Sequence, residues 1–162
     1  MISAKVEKAL NEQINEELYS SYLYLSMAAW FESQNLPGFA SWMRVQVREE
    51  NTHAMKFVEF INERRGRVAL QAIKEPTKEW ESPLAAFEAA LKHEQHITGR
   101  INELVNLAVA EKDHATGAFL QWFVNEQVEE EAAADSVVQK LTIAKDAPGA
   151  LLMLDHAMGE RK

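Results

Sequence analysis

The chain has no cysteine in its 162 residues, which excludes disulfides, thiolate metal sites and iron-sulfur clusters. Glycine and proline are scarce, at six and four, and most fall between periodic segments, so the chain is read as long helices rather than a turn-rich sheet. No apolar run approaches membrane-spanning length, and the stretch from Met1 to Glu17 is charged and amphipathic rather than of signal-peptide type. Positive charge is also short: 17 Lys and Arg against 25 Asp and Glu leave a formal charge of -8 and a pI near 5.2. Such a balance disfavours nucleic acid and anionic lipid and attracts cations. These absences predict a cytoplasmic protein with no nucleic-acid or membrane partner.

What is present is apolar residue at helical spacing. With 47% hydrophobic residues the chain suits one domain over 1–162. In the first segment Val6, Leu10, Ile14, Leu18, Leu25 and Ala28 recur as on one amphipathic helix, about 3–35, which stops at Leu36-Pro37-Gly38. A second helix, about 38–65, is predicted to end at Gly66 as a left-handed cap. Ser82-Pro83 starts a third, about 83–112, and after a break near Asp113-His114 a fourth runs about 115–144. A short apolar helix, about 148–159, closes the chain.

The connector over 66–82 is too long for a hairpin. Extended, it spans roughly 50 Å at ~3.3 Å per residue, more than the ~42 Å of a helix of about 28 residues. It therefore reaches along a whole bundle and lets the second and third helices run parallel. The predicted fold is all-α: a four-helix bundle with one long crossover between helices two and three, plus a short fifth helix.

Each inward stripe, followed in steps of three and four, is interrupted near its middle by acid. The stripes read Leu10, Ile14, Glu17, Ser21, Tyr24, Ala28, Phe31; then Phe39, Met43, Gln46, Glu50, His53, Phe57, Phe60; then Leu84, Phe87, Leu91, Glu94, Thr98, Ile101, Val105; and Phe119, Phe123, Gln127, Glu130, Ala134, Val137, Leu141. Because each interruption lies near its helix midpoint, the four carboxylates meet in one layer whichever way a helix runs. Bare, they would repel one another and be driven to protonate. No Lys or Arg occupies these stripe positions, so metal is the expected counter-charge.

Four carboxylates carry about the charge that two divalent ions neutralise. Glu50 and His53, one turn apart, share a helix face; with Glu17 they form one position, and Glu50 bridges to a second made with Glu94 and Glu130. Oxygen donors with one imidazole suit iron or manganese, with zinc left open. Gln127 is read as a hydrogen-bonding neighbour, and Tyr24 as either a core phenol or a hydrogen-bond or electron donor beside the metals. His93, His96, His114 and His156 are read as surface or structural, and Trp42, Trp80 and Trp122 as packing residues.

Glu17-x6-Tyr24, Glu49-Glu50-x-x-His53, His93-Glu94 and Phe119-Leu120-Gln121-Trp122-Phe123-Val124-Asn125-Glu126-Gln127-Val128-Glu129-Glu130-Glu131 together resemble the haem-free ferritins of bacteria and archaea, over essentially the whole chain. The resemblance implies a ferritin-like bundle assembled as a homo-oligomeric, hollow 24-subunit shell. It implies a ferroxidase that oxidises Fe(II) with oxygen or peroxide at an intra-subunit di-iron centre and stores Fe(III) mineral. It places the first iron on Glu17, Glu50 and His53, the second on Glu50, Glu94 and Glu130, with Tyr24 and Gln127 nearby, and a third on Glu49, Glu126, Glu129 and Glu130.

Bacterioferritins are similar but carry a second Glu-x-x-His where this chain has Gln127-x-x-Glu130, and a haem-binding Met where it has Asn51, so no haem is expected. Rubrerythrins need cysteine, and the DNA-protecting mini-ferritins place iron between subunits. Di-iron peroxide scavenging without storage, and metal buffering without oxygen chemistry, would draw on the same ligands. Glu111 and Asp113 are read as lining an entry pore, and the fifth helix as packing at a shell axis.

Overall fold

Local signals set where three of the helices begin. Ser3 Oγ accepts from Val6 N at 3.2 Å, Ser82 Oγ from Ala85 N at 3.0 Å and Asp113 Oδ1 from Thr116 N at 3.1 Å, each relieving a first-turn amide that has no partner within the helix. In the computed structural model, which describes residues 1–162, the helices are α1 (Ala4–Ser33), α2 (Pro37–Glu63), α3 (Pro83–Ala110), α4 (His114–Ala144) and α5 (Pro148–Met158). None of them is long and apolar enough to cross a membrane.

The helix ends correct one expectation. Gly66 does not take the left-handed conformation: Arg65 does, at φ 57°, as Asn35, Lys112 and Lys145 do after the other long helices. The amide after each of the first three closes a bond five residues back, as in Gly66 N to Ile61 O at 2.8 Å. Gly66 instead marks a close approach of side chains. A Cβ there would stand 2.9 Å from Ile61 Cγ2 and 3.0 Å from Glu7 Oε2.

The crossover runs the length of α1, as its reach allowed. Asn11 Oδ1 accepts from Ala69 N at 2.7 Å and its Nδ2 donates to Arg67 O at 2.9 Å; further along, Asn15 Nδ2 donates to Ala72 O and Ser26 Oγ to Thr77 O. Side chains of α1 thus satisfy backbone groups that the extended segment cannot pair with itself. The crossover delivers α3 antiparallel to α1 and parallel to α2. Across α1 and α3 the contacts pair Tyr24 with Glu94, Ser20 with His93 and Gln13 with Arg100.

The apolar core comes in two bodies. One gathers Phe31, Phe39, Trp42 and Phe87 with Tyr24 and Met27; the other gathers Phe57 and Phe123, stacked at 4.3 Å, with Leu10, Ile61 and Ile101. Between them lies the polar layer of Glu17, Glu50, His53, Glu94 and Glu130, all buried. Leu25, counted in the apolar spacing of α1, points outward, and Leu23 and Met27 take its place inside.

α5 docks on the start of α2. Asp155 Oδ1 accepts from Phe39 N at 2.9 Å, capping α2 from 116 residues away. This approach requires Gly38, where a Cβ would fall 1.6 Å from Asp155 O.

Candidate metal centre

The layer assembles as the stripes require. α2 supplies Glu50 and His53 one turn apart, with His53 Nδ1 3.3 Å from Glu50 Oε2. Three sets of ligand atoms lie within 4.8 Å of one another: Glu17, Glu50 and His53; Glu50, Glu94 and Glu130; and His53, Glu126 and Glu130. Glu50 belongs to the first two sets. Oxygens on opposite sides of a small divalent ion lie about 4.2 Å apart, so modest side-chain rotations close either set around a cation.

The donor chemistry fits a cation and little else. Glu17 Oε2 is buried without any hydrogen-bond partner, and an unpaired carboxylate oxygen is costly unless something positive meets it. Burial, partly countered by the hydrogen bond from Gln13, raises the Glu17 carboxyl to about 7. Burial and the Glu94 charge raise Glu130 to about 8, and burial with the charges of Glu94, Glu17 and Glu130 raises Glu50 well above the carboxylate range. Burial likewise raises Glu94. Burial, then the charge of Lys56, lowers His53 to about 4, which keeps its imidazole neutral and able to ligate.

Both neighbouring groups read from the sequence are in place. Tyr24 is fully buried and donates to Glu94 Oε1. Burial and the Glu94 charge raise its phenol, so the donor proton stays on. Gln127 Nε2 reaches Glu94 Oε2 at 3.1 Å and Thr98 Oγ1 at 3.3 Å.

The residues assigned to a third iron do not assemble as one group. Glu126 lies 3.7 Å from His53 Nε2 and joins the set with Glu130, whereas Glu49 is bound by Arg161 at 3.0 Å and Glu129 points to solvent. At the proposed pore, Asp113 is already engaged, capping α4 and taking both Arg64 Nη1 and Nη2, at 3.1 and 3.2 Å, while Glu111 sits 3.6 Å from Lys5 Nζ. His93, expected in a surface or structural role, stands against Ser20 Oγ at 2.7 Å. Trp42 packs on Phe87, but Trp122 is 40% exposed and stands edge-on to His53 at 5.4 Å.

Two amides escaped the sequence reading. Gln13 Nε2 donates to Glu17 Oε1 at 2.9 Å, and Gln46 Nε2 to Glu130 Oε2 at 2.8 Å. Gln13 precedes Glu17 by four residues, a spacing that could have flagged it; Gln46 lies on the inward stripe of α2, but its bond across to Glu130 on α4 is not revealed by spacing on its own helix.

A four-helix bundle with a buried carboxylate layer and one imidazole, in sets able to hold a metal and sharing a glutamate, defines the class of helical-bundle carboxylate metal proteins. Residues 7–144 match the family model described as ferritin-like domain. Bacterial non-heme ferritins are similar over nearly the whole chain: that of Bacteroides fragilis is 44% identical over 161 residues, covering 99% of this chain and 100% of its own length. That of Campylobacter jejuni is 41% identical, covering 96% and 93%. An open pore ferritin from the archaeon Archaeoglobus fulgidus superposes with a TM-score of 0.99 at 56% identity, covering all of both chains. The chain belongs to the ferritin family.

Proposed function

We propose that this protein is an iron-storage ferroxidase: it oxidises Fe(II) at the buried layer and retains Fe(III) as mineral inside a hollow homo-oligomeric shell. The observation that carries this is the pair of ligand sets sharing Glu50, with the unpartnered Glu17 oxygen between helices. Fe(II) is the substrate. Glu17, Glu50 and His53 hold one ion and Glu50, Glu94 and Glu130 the other, so that two one-electron donors stand side by side. Two Fe(II) give up one electron each, and dioxygen takes both electrons with two protons to leave as hydrogen peroxide, or peroxide itself serves as oxidant. The carboxyls release protons as iron enters, because burial and mutual repulsion raise these acids so that the metal-free site holds protons near neutral pH.

Storage and shell rest on the family. The relatives are non-heme ferritins, and this chain leaves Tyr22 and Leu25 of α1 and Leu70 and Ile73 of the neighbouring crossover 40% or more exposed. Apolar surface of this kind is accounted for by contacts between copies. Twenty-four copies, the number the resemblance implies, would enclose the mineral. Glu126, beside His53 and Glu130, with Glu49 and Glu129, would pass a third iron onward. The chain has no Met after Glu50 and no haem is assigned.

Native mass combined with iron content after aerobic loading tests this. A large assembly retaining hundreds of irons or more per shell is expected; a small oligomer retaining a few per subunit would move the reading to peroxide scavenging. Glu50→Ala with His53→Ala should abolish the fast aerobic phase of oxidation, and unchanged initial rates would sink the site assignment.

A further inference from the structure

Arg161 lies beyond α5, next to the last residue, yet it reaches the carboxylate layer. Its Nη2 donates to Gln46 Oε1 at 2.6 Å and to Glu49 Oε2 at 3.0 Å, its Nη1 approaches Trp42 O at 3.5 Å, and its guanidinium lies 4.4 Å over the Trp42 ring. Gln46 is 1% exposed and passes the contact on, since its Nε2 donates to Glu130 Oε2 at 2.8 Å. An amide has one accepting end and one donating end, and a guanidinium only donates. With Arg161 holding the oxygen end, the NH₂ end must face Glu130. Without Arg161 the oxygen end of the amide loses its donor, and the NH₂ end is no longer held toward Glu130.

The opposite side of the layer is built by the same rule. Arg100 Nε donates to Gln13 Oε1 at 3.0 Å, and Gln13 Nε2 donates to Glu17 Oε1 at 2.9 Å. Each metal position therefore has one carboxylate oriented by a glutamine whose sense an arginine sets. For Glu130 that arginine comes from the segment after α5, held in place because Gly38 lets α5 close on α2 and Asp155 binds Phe39 N.

We propose that Arg161 is a positioning residue for the Glu50, Glu94 and Glu130 position: through Gln46 it fixes the Glu130 carboxylate, and so couples the docking of α5 and the C-terminal tail to cation binding. This rests on the two-position reading above. Groups that orient metal ligands at one remove typically contribute 10- to 100-fold in metal affinity. Lysine at this position can still donate to Gln46 and Glu49 from one nitrogen, as Nη2 does, but it lacks the planar guanidinium that lies over Trp42 and the second nitrogen that approaches Trp42 O.

The test is anaerobic Co(II) titration of the assembled protein, followed by d–d absorption, which differs between an imidazole-containing site and an all-carboxylate one. Arg161→Ala should weaken the all-carboxylate component about tenfold and shift its spectrum, while Arg100→Ala weakens the imidazole component instead. Arg161→Lys should recover only part of the loss. In a Gln46→Leu background, Arg161→Ala should cost nothing more, since the path is already cut. Equal weakening of both components, no change in either, or a second full loss on top of Gln46→Leu would overturn the proposal. Wild-type protein binding fewer than two Co(II) per subunit would instead overturn the two-position reading, and the role of Arg161 with it.

Discussion

Replacing Glu17 with Gln asks whether the acid layer serves a cation or the fold. Glu17 is 1% exposed, and burial lifts its carboxyl from 4.5 to about 7. Between those values the folded subunit keeps a proton that the unfolded chain has released, so the metal-free protein loses stability as pH rises through that window. At 1.36 kcal/mol per pKa unit the complete loss is about 3 kcal/mol per subunit. Gln keeps the shape: its oxygen accepts from Gln13 Nε2 as before, and its new NH₂ takes the place of the unpartnered Oε2 beside Glu50. Metal-free E17Q should therefore exceed wild type by up to about 3 kcal/mol near pH 8, and by under about 1 kcal/mol near pH 5. Urea unfolding of metal-stripped protein at both pH values measures this, and aerobic iron oxidation by the same variant should be slowed. A metal-free E17Q that is less stable than wild type near pH 8 would refute the reasoning, because Glu17 would then be supporting the fold in its ionised form.

The raised carboxyls also predict proton release. Near pH 6 Glu17 and Glu130, at about 7 and about 8, are mostly protonated, so a saturating redox-inert cation such as Zn(II) should expel about two protons per subunit, and more with Glu50. Calorimetry in buffers of different ionisation enthalpy counts them, and release below about one would contradict the burial argument. Gly38→Ala tests the docking of α5: with a Cβ 1.6 Å from Asp155 O, α5 must lift away and expose the tail. Limited proteolysis should then cut after α4 in the variant and spare the wild type; equal protection would show that the helix tolerates the added methyl.

Much of this was legible because helical period is a local property. Glu17, Glu50, Glu94 and Glu130 each interrupt an apolar stripe, and stripe position alone places them inside once four helices share one core. The crossover could be read from its length, since a connector over 66–82 cannot be a turn between neighbours. Gly66 was misread because glycine serves two needs, left-handed φ and close approach, and only the packing of Ile61 and Glu7 against it shows which applies. Asp113 looked like a free acid near a turn; Arg64, 49 residues away in sequence, takes up both its oxygens.

The sequence alone determined the helices, their inward faces and the ligand types, because residues three and four apart meet whatever the rest of the chain does. Cysteine's absence likewise settled which ligand chemistries were closed to it. Tertiary structure decided what depends on distance between helices: that Glu50 is common to two ligand sets, that Glu17 Oε2 has no partner, and that Glu126 rather than Glu49 stands beside His53. It also brought Arg161, 115 residues from Gln46, onto the layer. Hydrogen bonds act over about 3 Å, and separation along a chain says nothing about which groups folding brings that close.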